Sequence, residues 1–114
     1  MTTEDWLRKN FGSEAERATD LGHDHWFTKW TYMNSDVWAG ISICHPKGPT
    51  PTEAYKDSSY CLGSVAFDIP EAAEHDHKGA VWQVQSLEPL TISPSVLCDC
   101  GDHGFIREGA WIGA

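Results

Sequence analysis

Apolar positions follow two different periods along this chain, and the change comes near residue 25. Ahead of it, Thr3 and the following EDWLRKNF read as a short capped helix. A hydroxyl stands at the cap, acids fill the first turn, Trp6, Leu7 and Phe11 can share one face, and Gly12 is placed to end it. The next segment, SEAERA from Ser13, carries little apolar surface and would be helical only when packed. The pattern predicts a short helical segment over residues 1–20.

From His25 the period becomes two. In HWFTKWTYM, Trp26, Trp30 and Tyr32 fall on one side and Phe27, Lys29 and Met33 on the other, as on a strand with an aromatic face. A turn signal, NSD, separates this run from VWAGISIC, so residues 25–44 read as a hairpin, with Gly40 marking a bulge or a close approach. The proline-rich HPKGPTPTEAYKDSS reads as a long loop, YCLGSVAFDI as a strand, PEAAEHDHKGA as a polar connection and VWQVQSL as another strand. Pro89 and Pro94 belong at edges or bends, because neither can donate to a ladder. HGFI and AWI flank REG as a tight hairpin in which Gly109 supplies a positive φ. The expectation is one domain of 114 residues, mainly β, as a small antiparallel sheet, barrel-like or sandwich fold: a short N-terminal helix, then a β core over 25–112.

Charge narrows the functions available. Seventeen acidic residues against eight basic ones give a formal net charge of -9, spread along the chain. Nucleic-acid binding needs a basic footprint, and anionic membranes attract basic segments, so neither is an expected partner. MTTEDWLRKNFG has no basic stretch leading into an apolar run, and no segment approaches the roughly 18 apolar residues of a spanning helix. The expected location is the reducing cytoplasm of a host cell, or a virion assembled there. In that compartment clustered cysteines point to metal binding or catalysis rather than to disulfides.

The densest chemistry is C-x-C-x-x-H: Cys98, Cys100 and His103. Gly101 permits a turn, and the segment can curl into a knuckle that brings His103 back toward the two sulfurs. Zinc favours four N and S ligands in a tetrahedron, so this set lacks one. Cys44 and Cys61 are the natural completions, with His45 behind them. As simple core fillers, reduced cysteines would suit Cys44 or Cys61, but CDCGDH is too acidic for a core. Two HDH runs supply further candidates, His23 with His25 and His75 with His77, which would form a second site if they converged, or else are loop histidines beside acids. The motifs of nucleophile elbows, P-loops, zinc deaminases and H-E-x-x-H proteases are absent.

Residues 81–112 carry Trp82, the run Pro89 to Ser95, Cys98, Cys100, His103 to Ile106, Gly109 and Trp111. In this they resemble a family of small domains of bacteria and of phages, particularly those of actinobacteria. There a W-x-V strand leads into P-L-T-L-S-P-S, a cysteine-containing turn, H-G-F-I and a closing G-x-W. The resemblance implies a compact β fold with a metal knuckle, encoded by a phage or prophage. The resulting expectation is a zinc-stabilised domain that binds another protein and catalyses nothing. The alternatives are a capsid- or tail-associated virion component and a metal-dependent enzyme built on the histidine pairs.

Overall fold

A computed structural model of the chain describes residues 17–50 and 59–114, with Lys9, which is helical. The rest of the expected N-terminal helix, including Trp6, Leu7 and Phe11, lies outside the described residues, as do residues 51–58 of the proline-rich loop.

The described chain is mainly β, in three antiparallel sheets with no closed barrel. Strands β1 (Thr19–Gly22), β2 (His25–Trp30), β3 (Gly40–Pro46) and β4 (Tyr60–Ala66) form a four-stranded meander. After a short helix α1 (Pro70–Glu74), β5 (Gln83–Leu87) and β6 (Leu90–Ser93) make a hairpin. Strands β7 (Val96–Leu97), β8 (His103–Arg107) and β9 (Ala110–Gly113) complete a three-stranded sheet.

Register decides which side chains meet. Phe27 lies opposite Ile43, which lies opposite Gly63; one step along, Lys29, Ile41 and Val65 form the next row on the same face. That face carries Phe27, Ile41, Ile43 and Val65 into a core with Leu21 and Phe67, closed from the other side by Leu90, Ile92, Val96, Ile106 and Trp111. Burial of each such large side chain contributes roughly 1.5–3 kcal/mol relative to exposure, so this two-layer contact is the main stabilising element.

The aromatic face of β2 expected from the alternation, carrying Trp26 and Trp30, is the one turned away from this core. Phe27 enters the core, while Trp26 and Trp30 are half-buried on the other side of the sheet. Trp30 is held there by Gly40, its partner in the ladder, because its indole occupies the space a Cβ at Gly40 would need. Among the described tryptophans Trp111 alone is fully buried, and Trp38 and Trp82 pack partly buried against the core.

Three local features depart from the pattern. Strand β1 begins inside the segment expected to be helical, and a turn of His23 and Asp24, both at positive φ (54° and 61°), reverses it into β2. The polar connection after residue 69 opens with α1, five residues long, where Pro70 sets the first turn and Ala72 is the buried contact. So short a helix cannot sustain itself in water, and its packing carries it. Strand β3 starts at Gly40 instead of Val37, because Trp38 turns its Nε1 to donate to the Gly40 carbonyl. The closing hairpin matches its pattern: Glu108 (φ 50°) and Gly109 (φ 73°) form its two-residue turn.

Gly104 in β8 repeats the Gly40 arrangement, since a Cβ there would sit 2.5 Å from Trp111 Cζ2 and 2.7 Å from the Ile112 carbonyl oxygen. Gly113 has nothing within 4 Å of that position. Gly104→Ala is therefore expected to destabilise the domain by about 1–3 kcal/mol in chemical denaturation, and Gly113→Ala by less than about 0.5 kcal/mol.

Candidate metal centre

The β3–β4 ladder sets His45 directly opposite Cys61. Such pairs share a face with Cβ atoms about 4.5–5.5 Å apart, so one histidine nitrogen and one sulfur are brought together by register alone. The other two sulfurs arrive on the turn between β7 and β8. There Gly101 N donates to Cys98 O (2.8 Å) and Cys98 N to Asp102 O (2.9 Å), curling residues 98–102 into a knuckle with Gly101 at φ +89°. The chain leaving β3 holds this knuckle down. Thr50 N donates to Cys100 O (2.7 Å), and a Cβ at Gly48 would lie 2.5 Å from both Asp102 N and Cys100 O.

Three separate segments thereby place ligand atoms of His45, Cys61, Cys98 and Cys100 all within 4.8 Å of one another. The Cys61 and Cys98 sulfurs are 3.6 Å apart. A tetrahedral ion with metal–sulfur bonds of about 2.3 Å holds its sulfurs about 3.8 Å apart, so the spacing fits a bound ion. His45, Cys61 and Cys100 are buried and Cys98 is half-buried. The cluster can hold a metal ion.

A second set of groups surrounds His45. Its Nδ1 lies 2.9 Å from the Pro46 carbonyl and 3.1 Å from Asp102 Oδ2. Donation from Nδ1 leaves the Nε2 lone pair as the one available to an ion, the arrangement by which outer partners fix a metal-binding imidazole. Asp102 Oδ2 also lies 2.7 Å from His25 Nε2, and His25 Nδ1 is 2.8 Å from the His23 carbonyl. The His25 ring is sandwiched, stacked at 4.0 Å on Trp111 and at 5.4 Å on His45. His25, His45 and Asp102 are themselves close enough to share an ion, but His45 belongs to both groups and serves one ion at a time.

Burial sets the protonation of the ligands. It holds the His45 imidazole below its ordinary range, against the Pro46 carbonyl and Asp102, which favour the charged form. Burial pushes the Cys61 thiol up, helped by its bond to Cys98, and pushes Cys98 up as well. A neutral imidazole is ready to ligate, whereas each thiol must release a proton to an arriving ion.

The structure thus brings Cys98, Cys100 and Cys61 together and completes them with His45, which the sequence ranks behind both cysteines. His103 and Cys44 lie outside this cluster. His103 is the first residue of β8, paired with Leu97, and both side chains are exposed on the outer face; its Nε2 meets Ser95 Oγ at 2.8 Å. The knuckle turns inward while the strand alternation sends His103 outward. Cys44 sits beside His45 on β3 and therefore points through the other face, opposite Trp26 and Leu62; burial pushes its thiol up to about 12. The HDH pairs do not converge. His23 is in the turn before β2, His75 stacks on Tyr32 at 4.6 Å and His77 faces the Ala80 carbonyl at 3.2 Å. Among the described residues His23, His75 and His77 enter neither metal-capable group.

No known family model, curated protein or solved structure matches this chain.

Co2+ added under reducing conditions is expected to bind one per chain with the intense near-ultraviolet absorption of cobalt–thiolate bonds. Cys98→Ser and His45→Ala should weaken binding at least tenfold, while His103→Ala and Cys44→Ala should leave it within about twofold.

Proposed function

We propose that this chain is a small zinc-stabilised β domain that works by binding another protein and has no catalytic activity. The observation that carries the reading is the convergence of three sulfurs and one imidazole, from β3, β4 and the β7–β8 knuckle, within 4.8 Å. Mixed nitrogen and sulfur ligands suit zinc, and four of them fill its tetrahedron. A filled tetrahedron leaves no position for a substrate or an activated water, which favours a structural role over a catalytic one.

The metal's work is then folding energy. Cys98 and Cys100 sit on a turn flanked by a two-residue strand, β7, and an ion joining them to His45 and Cys61 ties that turn to the large sheet. Binding energy of a closed site adds to the stability of the fold. The acidic surface supports a soluble partner-binding role and disfavours nucleic acid. Among the described residues no helix is long and apolar enough to cross a membrane.

Native mass spectrometry of protein purified without chelator should show one zinc per chain, and a metal-free preparation contradicts the reading. Removal of the ion with a strong chelator should lower Tm by at least 10 °C, restored by zinc but not by magnesium. The Cys61 and Cys98 thiols hold their protons tightly in the metal-free state, so acidification favours that state. Zinc retention should be complete at pH 8 and fall steeply toward pH 5, by more than tenfold in affinity per pH unit, because up to three protons exchange for one ion.

A further inference from the structure

Beside the metal cluster a cavity of about 260 Å³, partly open to solvent, lies between β4 and the β7–β9 sheet. Its walls are largely apolar, with Trp82 and Trp111 among them, and Cys61 and Cys98 are part of the same lining. Asp99 and Asp102 add two carboxylates to the lining, and no Lys or Arg is among the described residues that form it. The indoles are fixed in place: Trp82 Nε1 donates to the Ser95 carbonyl at 3.2 Å, and Trp111 is buried against His25.

These features select for a particular chemistry. An indole attracts cations most strongly where water is excluded, and a compact apolar body satisfies the aliphatic wall; Trp111, stacked on His25 and packed on Gly104, contributes apolar surface to that wall. An anionic ligand would meet the Asp99 carboxylate with no Lys or Arg in the lining to offset it, while Asp102 is already engaged by His25 and His45. A divalent ion bound by three thiolates and a neutral imidazole would give a centre with one net negative charge, so the cavity wall beside Cys61 and Cys98 would repel anions too. The chain's net charge of -9 draws cations toward the mouth.

We propose that this cavity binds an alkylammonium group, an organic cation with a compact apolar body. The assignment rests on the proposed metal reading only for the charge beside Cys61 and Cys98; Trp82, Asp99 and the apolar wall carry the rest. It gives the partner of the domain a chemistry: either a free amine or a lysine side chain presented by a protein.

The test uses the zinc-loaded full chain at low ionic strength, with NMR signals of the Trp82 and Trp111 indole N–H groups as the readout. Choline is expected to shift both signals saturably, and its neutral isostere 3,3-dimethyl-1-butanol to bind at least tenfold more weakly. Asp99→Asn, at an exposed position where folding is not at risk, should weaken choline several-fold. Nα-acetyl-lysine amide distinguishes the sources. Tighter binding than choline assigns a partner's lysine, and weaker binding a free quaternary amine. Equal binding of the alcohol, or no saturable shift in metal-loaded protein, overturns the assignment. Metal content is measured on the same sample, so the two readings separate. Choline binding by a protein that takes up no zinc would sink the proposed function and leave the cavity assignment standing.

Discussion

The pairing of His45 with Cys61 across β3 and β4 is the constraint on which the rest depends. It is a consequence of register, and the register is fixed by the core rows one and two steps along, where Phe27, Ile43 and Gly63, then Lys29, Ile41 and Val65, line up. A slip of one residue would turn Ile41 and Ile43 out of the core and put Cys44 where His45 stands. The same hydrophobic burial that stabilises the sheet therefore specifies half of the ligand set. The other half is a turn with little hydrophobic anchorage of its own, so an ion bound there would stabilise it more than it would elsewhere in the fold.

Asp102 links the two halves. It closes the knuckle through its carbonyl, to which Cys98 N donates, and its carboxylate reaches both His45 and His25. The knuckle thus carries two sulfurs and also the acceptor that orients the histidine supplied by the sheet. His25 extends this to Trp111 and hence to the buried core. A centre built in this way couples metal occupancy to the packing of both layers, and the cavity along its edge shares the same walls.

Much of this was legible in the sequence, and the failures have physical causes. Strand alternation located β2, β4, β5 and the closing hairpin, and the density of Cys98, Cys100 and the flanking acids marked the knuckle. His103 misled because proximity in sequence was read as proximity in space. It follows the knuckle by one residue, but β8 has already begun there and alternation sends it outward. His45 was underrated for the mirror-image reason: its neighbour Cys44 is the more familiar ligand, and only the β3–β4 register shows which of two adjacent residues faces the knuckle. The role of Asp102 had no sequence signal at all, since its partners His25 and His45 are 77 and 57 positions away. The alternation of β2 was legible, with Trp26 and Trp30 on one face and Phe27 on the other, but which face meets the core was not, since aromatic content marks both a core face and one where an indole covers a glycine.

The central claim is that one ion is held by Cys61, Cys98, Cys100 and His45. The most direct test is X-ray absorption at the zinc edge of the purified, fully loaded protein. The account predicts three sulfur neighbours at about 2.3 Å and one nitrogen at about 2.0 Å, with the multiple-scattering signature of a single imidazole. A first shell of oxygen and nitrogen alone, or one with two imidazoles, would contradict it.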